Sequence, residues 1–214
     1  MKLSTKKLTA LAMCAAISYL AMVFGRIPIV LFLKFDPKDF ILATTTLVFG
    51  LVPSLLVTLV VCLVEMFTVS DTGLLGFFMN LIASAAFIIP FSVLVRDRKD
   101  AKMTLLALLV STIAMTVIML AWNIVITPIY MHVPVEKVLG LLFTAILPFN
   151  IFKGLVNSAL TFVTLPLVPR LQSIVGIEND DVKKINLSQV AWISALMLVS
   201  ALVIYYVLNS PMGK

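Results

Sequence analysis

Apolar residues run in long stretches at about residues 8–25, 40–67, 74–95, 103–126, 138–169 and 188–208, separated by short segments that collect charge, proline and glycine. A bilayer core takes roughly 20 helical residues, so each stretch reads as a membrane-crossing helix, and two are too long for one simple crossing. In the second stretch, Gly50-Leu51-Val52-Pro53 places a residue that loosens the backbone beside one that lacks an N–H donor. The pattern predicts a tight turn there, with two short helices at about 38–50 and 53–67.

Basic residues support that division. They cluster as Lys2, Lys6 and Lys7, then Arg96, Arg98, Lys99 and Lys102, then Arg170, Lys183 and Lys184. Lys and Arg favour the cytoplasmic side of a membrane. With a single helix over 40–67, three crossings would put the first two clusters on opposite faces; splitting it gives four crossings and agreement. Two further helices return the chain at Arg170. The expectation is an all-α, polytopic membrane bundle: a six-helix core over 1–170, a cytoplasmic linker over 171–187 and an additional transmembrane helix within 188–214. The outer loops fall at about 26–38, 68–73 and 127–137. The first carries Lys34-Phe35-Asp36-Pro37-Lys38-Asp39, a mixture of charge and aromatics suited to a lid.

Composition agrees. Of 214 residues, 62% are hydrophobic and 12% charged, whereas soluble domains are nearer half apolar with about a quarter of residues charged. The net charge of +6 marks topology rather than nucleic-acid binding, because it sits in clusters between apolar runs. Cys14 and Cys62 lie inside apolar runs without metal-ligand spacing and read as small buried hydrophobes. The basic start and first apolar run read as an uncleaved helix, since no small-residue cleavage pattern ends it.

Polar groups within hydrocarbon need partners, which makes Glu65, Asn80, Asn123, Asn150, Lys153 and Asn157 the informative exceptions. Asn150 and Lys153, three apart, share a helix face. A mid-helix lysine costs roughly 2.5–3.5 kcal/mol on insertion scales and should meet an acceptor or a cavity; Glu65 is one possible partner. Under the topology above, Glu65, Asn80, Asn123, Asn150 and Lys153 all fall in the outer half of the membrane, as a shared pocket open to the exterior requires. Each also has a plainer reading: asparagines as interhelical packing contacts, Glu65 as a solvated carboxylate ending its helix. Gly73 and Gly76 allow close approach of a ligand or backbone, or simply loosen a helix start. Ala12 and Ala16, four apart in the first helix, form a small-residue surface. His132 reads as a loop residue.

No phosphate-binding Gly-x-x-x-x-Gly-Lys-Ser/Thr loop, His-Glu-x-x-His pair or Gly-x-Ser-x-Gly elbow occurs, and the chain has one histidine. The sequence therefore offers no ATPase, metalloprotease or serine-hydrolase machinery and no metal site, and no chain of acids suited to proton-driven carriage.

The stretches Phe32-Leu-Lys-Phe-Asp-Pro-Lys-Asp39, Gly73 to Asn80, Asn123 with Thr127-Pro-Ile-Tyr130, and Asn150-Ile-Phe-Lys153, in this order over residues 1 to about 170, resemble the riboflavin-specific substrate-binding subunits (S components) of bacterial energy-coupling factor (ECF) transporters. The resemblance implies a multi-pass protein of the bacterial cell membrane that captures riboflavin from outside and does no covalent chemistry. It implies Asn123, Asn150 and Lys153 as the main hydrogen-bonding set, with Asn80 and Glu65 contributing and Met79, Phe77 or Trp122 packing the ring. It further implies a membrane coupling subunit docking on Ala12 and Ala16, two cytoplasmic ATPase subunits that use the ATP, and no cofactor. The helix at 188–208 departs from the six-helix pattern. Two alternatives remain beside this reading: an S component for another vitamin such as thiamin or pantothenate, or a stand-alone secondary carrier. A purely structural membrane protein is a third.

Overall fold

The computed structural model describes residues 4–96, 100–177 and 186–210. Lys2, Arg98 and Lys99, and Glu178, Asp180, Asp181, Lys183 and Lys184 of the expected linker, lie outside the described residues. In chain order the elements are helix α1 (Thr5–Gly25), strands β1 (Ile27–Val30) and β2 (Leu33–Phe35), and helices α2 (Lys38–Phe49), α3 (Leu51–Thr68), α4 (Gly73–Val95) and α5 (Ala101–Met131). Then come α6 (Val135–Leu141), a π turn over Leu142–Ile146, α7 (Leu147–Thr164), a 3-10 turn over Leu165–Leu167, α8 (Val168–Ile174) and α9 (Leu187–Asn209). Six segments are long and apolar enough to cross a membrane, the run Val135–Ile174 counting as one. The architecture is the expected all-α membrane bundle.

The division of the second apolar run falls where the sequence places it. Gly50 takes φ +86°, a conformation glycine adopts without the Cβ penalty, and closes α2 by donating its N–H to Thr46 O at 2.9 Å. The chain then reverses. Ser54 Oγ donates to Leu42 O at 2.7 Å, whereas twelve residues of continuous helix would hold them roughly 18 Å apart. α2 packs against α1, α3, α4, α7 and α8, and most of its residues are buried. It is the central post of the bundle.

Three boundaries differ from expectation. α5 runs five residues past 126 to Met131, absorbing much of the expected outer loop, and ends where His132 takes φ 52°. The sixth run continues beyond 169 through α8, whose Gln172 Nε2 donates to Leu47 O at 3.0 Å and pins it to α2. The first outer loop is ordered as an antiparallel hairpin in which Ile27 pairs Phe35 and Pro28 pairs Lys34. Lys38 and Asp39 belong not to that loop but to the first turn of α2. The π turn has a local cause: Pro148 has no N–H and its ring crowds the carbonyl four residues back, and a widened turn relieves both.

Small residues set the interhelical distances. A Cβ on Gly154 of α7 would come within 3.0 Å of Thr112 Cβ on α5, and one turn further on Ser158 and Thr112 hydroxyls lie 3.1 Å apart. Replacing Gly154 by Val is expected to lower stability by about 1–3 kcal/mol through overpacking. Thermal melting in detergent measures this, and an unshifted melt means that α5 and α7 separate freely.

Candidate functional site

Six charged side chains in an alternating series hold one end of the bundle together. Arg26, just past α1, pairs with Glu65 near the end of α3. Glu65 Oε2 accepts from Lys38 Nζ at 2.8 Å. Lys38 lies 3.8 Å from Asp36, which lies 3.3 Å from Lys153 Nζ of α7. Lys153 also approaches Asp39 Oδ2 at 3.4 Å, and Asp39 Oδ1 accepts from Ser84 Oγ of α4 at 2.5 Å. Asn80 donates at 2.7 Å to Glu65 Oε1, the oxygen that Arg26 also binds. Lys38 is wholly buried, and Asp36, Asp39, Glu65 and Lys153 are 4% exposed or less. An unpaired charge at such depth costs several kcal/mol, so the alternation of sign is what permits the cluster.

The sequence places these groups for identifiable reasons. Asp39 occupies the first turn of α2, where the helix dipole favours a carboxylate. Pro37 provides no side-chain cap; instead Asn157 of α7 accepts from Phe40 N at 3.0 Å and donates to Lys153 O at 3.0 Å, fixing the start of α2 against the turn bearing Lys153. Asn157 is thus a packing contact. Asp36, between β2 and α2, titrates at about 2: burial opposes its ionisation, but Lys153, Lys38 and Arg26 together outweigh it.

Against this network lies a cavity of about 180 Å³. Five of the six polar residues singled out from the sequence, Glu65, Asn80, Asn123, Asn150 and Lys153, line it, at the end of the bundle that the charge pattern assigns to the exterior, and Asn157 does not. Asn123 and Asn150 are anchored within their own helices, donating to Met119 O at 2.7 Å and Ile146 O at 2.8 Å. Each amide group retains a second N–H. Thr127 Oγ1 donates to Asn123 Oδ1 at 2.8 Å, which orients that amide. Phe32, Tyr130, Phe149 and Met79 supply apolar wall, with the Phe32 and Tyr130 rings 5.8 Å apart. Gly76 also lines the cavity, where a Cβ would meet Ser70 Oγ at 3.0 Å. The hairpin contributes Phe32, Leu33 and Lys34, and Lys34 reaches Asp71 of the α3–α4 loop at 2.5 Å. That exposed contact holds the Asp71 carboxyl below its ordinary range, by the Lys34 hydrogen bond and charge.

Several expectations need correction. Glu65 is not a solvated helix-end carboxylate; it is buried and accepts from three donors. The partners of Lys153 are Asp36 and Asp39, not Glu65. Met79 lines the cavity, whereas Phe77, which is buried, and Trp122, which packs on the core, do not. Arg26 was missed, and Asp36, Lys38 and Asp39, expected in an outer lid, are instead buried in the charge network, although a mid-helix lysine in a chain poor in acids was a signal that some nearby carboxylate must answer it. Ala12 and Ala16 lie on the exposed face of α1, away from the cavity.

A multi-helix membrane bundle with a polar, aromatic-walled cavity at one end defines a membrane-embedded binding protein. The model of the substrate-specific component of ECF transporters matches residues 6–165, most of the chain, and the chain belongs to that family. It is therefore a transporter subunit of the membrane and not an enzyme. Three solved chains match it; one, the S component of a bacterial ECF transporter, is 27% identical with a TM-score of 0.61, over 78% of this chain and 94% of that one. No curated protein matches the chain. The matched family region ends before α9.

The acid response of the network has a defined sign. Asp36 titrates at about 2 when folded, against 3.8 ordinarily, so its stabilisation is complete above about pH 4 and is lost as pH falls through about 2. Asp36→Asn is expected to flatten the acid limb of melting temperature against pH. An acid limb unchanged by that substitution removes Asp36 from the account.

Proposed function

We propose that this S component captures riboflavin from the outer side of the membrane, for ATP-driven uptake by a membrane coupling subunit and two ATPase subunits. The observation that carries the reading is the convergence of Asn80, Asn123, Asn150 and Lys153, drawn from three helices, on one cavity walled by Phe32, Tyr130 and Phe149. A flavin has an apolar dimethylbenzene end and a uracil-like edge alternating acceptors with an N–H. Asparagine amides match both roles along that edge, Lys153 donates to a carbonyl or ribityl oxygen, and the aromatic and methionine side chains pack the ring. Every charge lining the cavity has an opposite partner within the protein, which favours an uncharged vitamin over cationic thiamin or anionic pantothenate.

Coupling is assigned to α1. Ala12 and Ala16 are exposed on it, one helical turn apart, and a small-residue face lets another membrane helix approach closely.

Titration by quenching of flavin fluorescence tests the site: Asn123→Ala and Asn150→Ala are each expected to weaken riboflavin binding by about 1–3 kcal/mol, and unchanged affinity in both means the pocket is wrong. Ala12→Leu and Ala16→Leu are expected to leave that titration unaltered while impairing uptake by the assembled transporter. Full uptake in both moves the docking face elsewhere.

A further inference from the structure

The charged lining of the cavity is balanced. Arg26, Lys34 and Lys153 face Asp36, Glu65 and Asp71, and behind them Lys38 sits between Glu65 and Asp36 and Asp39 beside Lys153. The balance is local as well as global. Glu65 is saturated by Arg26, Lys38 and Asn80, and Lys34 is taken up by Asp71 at the rim. Lys153 lies one turn from Asn150 on α7, and Asp36 is the carboxylate that both touches it and faces the cavity. Asp39 approaches Lys153 from behind and does not line the space.

We propose that Asp36 is the charge-selectivity residue of this site: by neutralising Lys153 from the cavity side, it turns a lysine that would attract anions into a neutral hydrogen-bond donor, and so excludes phosphorylated and other anionic forms of the ligand. The inference rests on the riboflavin reading above. A phosphate group brought into the cavity finds no unpaired cation and meets the buried carboxyl groups of Asp36 and Glu65. Such repulsion is strong where water is scarce. An uncharged ribityl chain meets none of it. Removing the charge of Asp36 while keeping its size leaves Lys38 paired with Glu65 at 2.8 Å and Lys153 with Asp39 at 3.4 Å, so the network persists with one excess positive charge beside the ligand.

The test compares riboflavin with its 5′-phosphate by fluorescence quenching on the purified full chain. The wild type is expected to prefer riboflavin by at least about tenfold near pH 7.5. Lowering the pH toward about 5.5, through the second phosphate pKa near 6, is expected to narrow that gap without changing riboflavin affinity. Asp36→Asn is expected to bind the phosphate ester more tightly than the wild type does, shrinking the preference about tenfold or more. The charge-balanced double variant Asp36→Asn, Lys153→Gln is expected to restore it. A purely structural role for Asp36 would weaken both ligands together; a preference ratio unmoved by Asp36→Asn, or equal binding of the two ligands by the wild type, overturns the proposal. Should the variant not fold, a wild-type gap that ignores the phosphate titration overturns it equally. A wild type that binds neither flavin defeats the riboflavin reading itself, and this inference with it.

Discussion

The alternating series Arg26, Glu65, Lys38, Asp36, Lys153, Asp39 is the constraint on which this end of the molecule depends. Each member would be costly alone in an apolar interior, and each has at least one opposite neighbour; removal of one leaves an excess buried charge in the series. The series crosses the bundle from the end of α1 through α3, the start of α2 and α7, and ends through Ser84 on α4. It therefore fixes relative positions that apolar packing alone would leave loose, since lipid is as good a solvent for leucine as another helix is. The cavity has defined walls because its corners are electrostatically tied.

Close backbone approach supplies the rest. Gly154 lets α7 sit against Thr112 of α5, which brings Asn123 on one helix and Asn150 and Lys153 on the other to the same space. The reversal at Gly50 keeps α2 short, so that its first turn, with Lys38 and Asp39, lies at cavity depth rather than out in a loop. Asn157 then satisfies a backbone donor at that helix start from another helix. Position and chemistry are linked at this point: the residue that caps α2 stands one turn from the lysine the carboxylates must reach.

Much of this was legible in the sequence, and the limits have physical causes. Helix count and the split at Gly50 follow from hydrocarbon thickness and the charge clusters, both one-dimensional properties. The five polar cavity residues stood out because polar groups inside apolar runs are few. Asp36, Lys38 and Asp39 did not, because charge beside proline at a helix edge looks the same whether it faces water or folds inward; only the three-dimensional path of the hairpin decides. Phe32, Tyr130 and Phe149 were equally hidden, since one aromatic among many apolar residues carries no mark of which way it points. The end of α5 lies beyond the apolar run at 103–126, because the helix continues through Pro128 to Met131.

Separation of tasks along the chain gives the final step. The cavity draws on α3, α4, α5, α7 and the hairpin, while the exposed alanine face belongs to α1, which packs on α2 and α3. At the binding end α1 is tied through Arg26, just past its last turn, whose guanidinium joins Glu65 and also donates to Val69 O at 3.3 Å, and through Tyr19, whose hydroxyl donates to Thr68 Oγ1 at 2.9 Å. If the alanine face is the coupling surface, docking there need not distort the pocket, because α1 contributes no wall to it beyond that terminal residue. The rigid charge network would then let the subunit move as one body with its ligand enclosed, rather than transmit a local change through the bundle.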